Sequence, residues 1–328
     1  MGGSFLAQLL ASSNPKIREL SFSAVVRKQE QADVLANHGV NAILIQDLDD
    51  SAALKRAASE HDIVIHSAND FHPASAQALI EGLAERKKTT GREVYYIQTS
   101  GTSNLASQPL TNPHLPPAPP NNNPNGRDIF SDTSNIHQYL LSREALEPYA
   151  QRITDLTVLR TGKATGVRTI IVMSPTVYGV GLGLFNKRSI QRPLLIRGAL
   201  AKGRAVYVGD GAGEWDHVHV QDLAELYELL VKKVGRPHSW KELAEAVGKA
   251  GYELGALETA GPVEMSVAEF AREWLGGNEK LAELGFTSRS VTDAKRSRSL
   301  GWQPRKTDED WWASFKEEFA AISAQTKA

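Results

Sequence analysis

Met1-Gly2-Gly3-Ser4-Phe5-Leu6-Ala7-Gln8-Leu9-Leu10-Ala11 is the stretch on which the fold turns. Two glycines run directly into an amphipathic helical pattern. In a dinucleotide-binding βαβ unit, a buried strand leads into a three-glycine turn and then into a helix of this kind. The glycines let the backbone approach a pyrophosphate, and the helix N-terminus turns unpaired N–H groups toward its charge. Only the end of that turn stands before the helix here. The stretch therefore reads as the first helix of a Rossmann-like unit whose opening strand is missing, with Gly2 and Gly3 as its pyrophosphate-facing residues.

Outward from this helix the pattern continues in the same register. Short apolar runs at Phe22–Arg27, Ala42–Gln46, Ile63–Ala68 and Glu93–Thr99 alternate with helix-period segments at Gln29–His38, Ser51–His61 and Ala74–Lys87. Strands alternating with helices predict an α/β fold with a doubly wound parallel sheet. Such strands are buried on both faces, which explains continuous runs such as Ile63-Val64-Ile65. Residues 107–135 interrupt the pattern with prolines among asparagines and read as an exposed insertion loop, in part polyproline II, with a proline-motif ligand as the alternative. Helix returns from about Ser142 to Thr165, with a strand at Arg168–Met173. A second βα-rich region follows: helix Pro193–Lys202, strand Ala205–Val208 and helix Asp222–Val234. The tail from Trp240 is helix-rich, and its tryptophans 274, 302, 311 and 312 read as core or lid packing. The expected division is a cofactor-binding domain over 1–175 and a substrate-binding region over 176–328.

Composition narrows the partners. The chain has 328 residues, 41% of them hydrophobic, and a formal net charge of −1, with 37 Lys and Arg against 38 Asp and Glu. That balance gives no electrostatic reason for nucleic acid or an anionic membrane surface as partner. Cysteine is absent, which removes disulfides, thiolate metal sites and a cysteine nucleophile and fits a reducing compartment. Without a membrane-length apolar run or a secretory leader pattern, the expectation is a soluble, cytoplasmic protein acting on a small molecule, alone or as a homodimer.

Chemistry-bearing residues gather at the predicted strand ends. Arg27-Lys28 follows the first strand where the fold meets the adenosine ribose. A basic residue there suits a 2′-phosphate, so NADP is favoured over NAD, although two solvated charges at a strand end explain the pair equally well. Asp47 follows the next strand, in reach of an adenine amino group. Ser67 and Ala68 are small and leave room for a cofactor, or simply suit a tight turn. Gln98-Thr99-Ser100-Gly101-Thr102 ends the fourth strand in hydroxyls suited to holding a substrate oxygen. Tyr149 opens a helix in Glu147-Pro148-Tyr149-Ala150-Gln151-Arg152, with Pro148 tolerated in its first turn, and Arg152 three residues on is the cation that would lower its pKa. A packed tyrosine at an amphipathic helix start is the simpler reading of that spacing. His217 and His219 alternate along a strand and share one face; no third ligand is placed with them, so no metal is expected.

Together these residues resemble the extended, atypical short-chain dehydrogenase/reductases, the NAD-dependent epimerase/dehydratase family, and in particular its NmrA-like fungal-type members. The carriers are Gly2-Gly3-Ser4, Ile65-His66-Ser67-Ala68, Thr99-Ser100, Pro175-Thr176-Val177-Tyr178-Gly179, Val208-Gly209-Asp210-Gly211, Val218-His219-Val220-Gln221-Asp222-Leu223-Ala224 and Leu300-Gly301-Trp302-Gln303-Pro304. The resemblance implies an NAD(P) cofactor across the sheet edge and Ser100 or Thr102 as the hydroxyl partner. It also implies Tyr149 as acid/base, and Pro175, Val177 and Tyr178 beside the nicotinamide. Three departures stand against it. The opening strand is absent, Ile153 occupies the position of the family's lysine, and Trp215 stands where sugar-nucleotide enzymes carry an arginine. An NDP-sugar substrate is therefore disfavoured, and arginine cannot pass a proton as lysine can. The expected function is an NADP-preferring oxidoreductase or epimerase-like activity on a small carbonyl or hydroxyl compound. The alternatives are a non-catalytic NADP-binding regulatory protein and a truncated inactive product.

Overall fold

The computed structural model describes residues 1–106, 114, 130, 132, 135–204, 215–233, 240–279, 315, 316, 319 and 320. The expected α/β class holds, and every strand pairing is parallel. The first elements are α1 (Gly2–Leu10), α2 (Pro15–Arg18), β1 (Ser23–Val26), α3 (Gln29–Ala36), β2 (Asn41–Leu44), α4 (Ser51–Ser59), β3 (Ile63–His66), α5 (Pro73–Thr90) and β4 (Tyr95–Gly101). After β4 come a 3-10 turn at Thr102–Leu105, α6 (Ile136–Leu146), α7 (Ala150–Thr165), β5 (Arg168–Ser174), β6 (Thr176–Tyr178), α8 (Gln191–Lys202), β7 (His217–His219) and α9 (Val220–Lys233). These lie in one compact unit, Met1–Val234. A second, Gly235–Ala328, contains α10 (Trp240–Glu253) and α11 (Val267–Trp274), with Lys316 paired to Glu253 at 3.1 Å.

Each boundary has a local cause. Asp50 accepts from the Ala53 N–H to start α4, and Asn135 accepts from Gln138 to start α6. Gly91 and Gly166 end α5 and α7 in the left-handed conformation. The helix read as continuous from Ser142 to Thr165 is two helices, because Pro148 biases Glu147 to extended backbone and Tyr149 becomes the N-cap of α7. Pro148 thus stands before the cap rather than in the first turn.

Strands assemble as β1-β2, β3-β4-β5 and β6-β7. In β4, Tyr96 and Ile97 are fully buried and turn to opposite faces. Tyr96 joins Val64, Ile171, Leu79, Leu83 and Val158 under α4, α5 and α7. Ile97 joins Phe5, Leu223 and Tyr227 under α1 and α9. Phe5 and Tyr227 stack with ring centroids 3.9 Å apart and planes 13° from parallel. Gln8 of α1 and Ser12 just after it both donate to the Glu228 carboxylate, at 2.6 and 2.5 Å. β1 pairs only with β2, and β3 only with β4, so each leaves one edge without a strand partner among the described residues. His61 Nε2 and Ser23 Oγ, 2.8 Å apart, join the starts of these two strands.

Two expectations need correction or fall outside view. Trp274 is not packed in a core: it is 59% exposed, against Phe270. The strand at Ala205–Val208, most of the 107–135 loop, and Trp302, Trp311 and Trp312 lie outside the described residues.

Candidate active site

Parallel strands point all their carboxyl ends one way, so β3, β4 and β5 deliver Ser67, Ser100 and Pro175 to one edge of their sheet. The pleat then separates neighbours on β4. Thr99 faces α9, where its Oγ1 lies 2.5 Å from the Tyr227 hydroxyl. Ser100 faces α7 and is almost wholly buried. Its Oγ donates to Asp155 Oδ2 at 2.8 Å, and Asn104 Nδ2 donates to the same oxygen at 2.6 Å. Thr102 stays partly exposed on the following turn.

That turn is fastened to the start of α7. Ser103 Oγ donates to the Gln151 side chain, which in turn donates to Asp70. The Asn104 main-chain carbonyl accepts from Arg152 Nε at 3.2 Å. Tyr149, partly exposed, meets Phe71 edge-on at 5.8 Å between centroids. Arg152 lies under the same ring, its guanidinium carbon 5.6 Å from the centroid. The cation faces the ring rather than the hydroxyl. Its other donors go to Glu144 Oε2 at 3.3 Å, the Glu147 carbonyl at 2.7 Å and Glu147 Oε1 at 3.5 Å. Glu147 also accepts from Arg143 at 2.6 Å. Arg152 is 1% exposed, so this ionic cluster is interior, where loss of one partner strands the others.

Sequence reasoning missed the second polar group on this face. His66 Nδ1 lies 2.8 Å from the Tyr96 hydroxyl, which donates to Gln98 Oε1 at 2.6 Å. The pattern places the imidazole proton on Nδ1 and leaves Nε2 a buried lone pair with no partner among the described residues. Burial lowers the His66 pKa to about 4 and raises that of Asp155 to about 7. The alternation of His66, Tyr96, Gln98 and Ser100 toward one face is visible in sequence. Asp155, however, sits 55 residues beyond Ser100, with no local signal to connect them.

The remaining residues occupy three places. Arg27 and Lys28 are exposed after β1, without an ion pair among the described residues. Asp47 accepts from the Asp49 N–H at 2.9 Å in a turn after β2. Gly2 lies against Ser67, and Gly3 against Gly183: a Cβ on Gly3 would stand 3.2 Å from the Gly183 Cα. Leu182 N–H donates to Ser4 Oγ at 3.1 Å, so the 181–183 backbone covers the start of α1. On β6, Val177 is partly buried with Ile170 and Val172, while the Tyr178 ring meets His217, His219 and the Arg192 guanidinium at 5.6, 5.1 and 5.1 Å. Among the described residues no three His, Cys, Asp or Glu side chains group as metal ligands. Ala68 and Trp215 are exposed.

Known proteins resemble this chain along most of its length. It is 24% identical to the oxidase ucsJ of an Acremonium species, over 93% of this chain and 90% of that one. It is 26% identical to an uncharacterized protein of Schizosaccharomyces pombe, over 93% and 91%. Among solved structures, the yeast methylglyoxal/isovaleraldehyde reductase Gre2, complexed with NADPH, aligns with a TM-score of 0.40 at 14% identity, covering 97% of this chain and 96% of that one. The UDP-glucose 4-epimerase of Thermotoga maritima, with UDP-glucose, aligns with a TM-score of 0.42 at 15% identity, covering 98% and 96%. Residues 123–241 match the model of the NAD dependent epimerase/dehydratase family.

Proposed function

We propose that the chain is an NAD(P)-dependent oxidoreductase or epimerase-like protein acting on a small carbonyl or hydroxyl compound, with NADP preferred. One observation carries this reading. The Ser103–Gln151 and Asn104–Arg152 hydrogen bonds hold the start of α7 against the turn after β4, so Tyr149 and Thr102, both partly exposed, share one sheet edge. Tyr149 exchanges a proton with the substrate oxygen while Thr102, or Ser100, orients it. Arg152 holds the tyrosine ring rather than relaying the proton.

The residues fit a dinucleotide at its two ends. Exposed basic side chains at Arg27 and Lys28 suit a 2′-phosphate, Asp47 an adenine amino group, and Ser67, Ala68, Thr99, Pro175, Val177 and Tyr178 are the residues assigned in this reading to the path toward the nicotinamide. A bound NADP supplies or accepts the hydride. At the pyrophosphate the fit requires movement, because the 181–183 backbone already lies on Gly3. Residues 1–175 serve the cofactor and 176–328 the substrate, with the cytoplasm as the location and a homodimer as the assembly.

A second reading is an NmrA-like protein that binds NADP without turnover. It is favoured by Arg152, whose donors are held by Glu144, Glu147 and Asn104, and by Ser100, turned inward to Asp155. Calorimetric titration with NADPH and NADH, followed by a carbonyl screen on wild type and Tyr149→Phe, decides. NADPH binding with turnover that Tyr149→Phe abolishes supports the enzyme. Binding with no behaviour sensitive to Tyr149→Phe supports the regulator. Failure to bind either nucleotide, with binding restored when a strand and glycine turn precede Met1, identifies an inactive truncated product.

A further inference from the structure

One buried carboxyl connects the hydroxyl end of the site to its cation. Asp155 has no exposed surface; its Oδ2 accepts from Ser100 and Asn104, and its Oδ1 has no partner among the described residues. Asn104 Nδ2 also lies 3.2 Å from Ser100 Oγ, which closes a three-membered cluster. The main-chain carbonyl of the same asparagine accepts from Arg152 Nε, and Arg152 supports the Tyr149 ring. From Asp155 to Tyr149 the path is therefore continuous: carboxyl, asparagine, guanidinium, phenol.

We propose that Asp155 is a positioning residue that sets the orientation of Ser100 and, through Asn104, the placement of Arg152 against Tyr149. The consequence for turnover rests on the enzyme reading above; the coupling itself does not. A carboxylate Oδ2 accepts both donors at full strength, whereas a protonated carboxyl accepts more weakly and must place a proton of its own. The cluster therefore has two arrangements, and its state follows the proton on Asp155. Ser100 and Tyr96 face this carboxyl from β4, with His66 of β3 bonded to the Tyr96 hydroxyl. Asn104 comes from the 3-10 turn, and Arg152 lies on the same helix. Asp70, in the loop before α5, repels the charge and adds to the effect of burial, while Ser100 and Asn104 oppose it. His72, at the start of α5, acts on His66. The change of state then falls close to neutral pH.

The test follows the Arg152 Nε–H signal by NMR of the 15N-labelled full chain, assigned with Arg152→Lys, from about pH 5 to about pH 8.5. A shift with its midpoint near 7, lost in Asp155→Asn, is expected. A signal that does not titrate in the wild type, or that keeps its midpoint in Asp155→Asn, overturns the proposal. Should Asp155→Asn fail to fold, Asn104→Ala removes the link while leaving the carboxyl. Loss of the titration is then expected, and its persistence refutes the coupling. If NADPH-dependent turnover is found, Asp155→Asn lowers kcat roughly tenfold to a hundredfold with KM little changed, and removes the limb near neutral pH. Absence of turnover in the wild type refutes the enzyme reading and leaves the NMR result standing.

Discussion

Ser100 Oγ donates to Asp155 Oδ2 across 2.8 Å, in an interior layer that also holds the neutral imidazole of His66. Asp155 and His66 shift in opposite directions for one reason: burial disfavours the charged form of each. Asp155 moves up to about 7 and His66 down to about 4.

Opposite shifts give opposite slopes of stability against pH. Between the ordinary aspartate value of 3.8 and about 7, folded Asp155 holds a proton that the unfolded chain releases, so its contribution falls as pH rises through that window. Between about 4 and the ordinary histidine value of 6.5, the unfolded chain binds a proton that folded His66 refuses, so its contribution grows as pH rises. In the wild type the two largely cancel. Thermal melts across this range should show Asp155→Asn gaining stability toward neutral pH more steeply than wild type, and His66→Gln losing it. Each difference should amount to a few kcal/mol at most, at about 1.4 kcal/mol per pKa unit. Three parallel curves would disprove the assignment.

Arg152→Met should cost about 3–5 kcal/mol in urea unfolding, because it leaves Glu147 buried without one of its two cations and empties the donors held by Glu144 and Asn104. A loss under about 1 kcal/mol would mark the cluster as solvated rather than interior.

Phe5→Ala removes the ring that stacks on Tyr227 between α1 and α9. The expected loss is about 3–5 kcal/mol. Hydrogen exchange should show α1 losing protection before α4 and α5, whose core lies on the other face of the sheet. Uniform loss across all of these elements would contradict two separate packing layers.

An apolar strand and glycine turn joined ahead of Met1 should raise the melting temperature, because β1 and β3 each leave one edge without a strand partner among the described residues. Identical melting temperatures with and without the added strand would show that nothing pairs there.

Gly183→Ala would press a methyl group against the Gly3 backbone, whose nearest atoms stand 2.8 Å from an added Cβ. Such overpacking is expected to cost about 1–3 kcal/mol. NADPH titration of this variant then reports whether freeing the start of α1 strengthens binding; unchanged affinity would separate that loop from the cofactor path.

Much of the architecture was legible because local chemistry sets it. The apolar runs at residues 22–27, 42–46 and 63–68 form β1, β2 and β3 with ends shifted by one or two residues; the expected burial on both faces does not hold for β1 and β2, where Val25 and Leu44 are exposed. Pro148 was visible, but its effect was misread: a proline just before a cap divides α6 from α7, while one inside a first turn would not. Core or lid packing is expected of Trp274 from residue type, but the side chain is largely exposed, because large aromatic surface alone does not specify which face of α11 carries it.

By itself the sequence determined the α/β alternation, the parallel direction of the strands, and the clustering of polar residues at strand ends, because period and turn chemistry act over a few neighbouring residues. Only the tertiary structure decided what those polar residues touch. Thr99 and Ser100 are adjacent in the chain yet answer to Tyr227 and Asp155 on opposite faces of the sheet. Arg152 became a buried support for a tyrosine ring rather than a partner of its hydroxyl, held there by carboxylates from α6 and the residues after it. These outcomes depend on contacts between distant segments, whose pairing is set by how helices pack across the sheet and leaves no trace in local spacing.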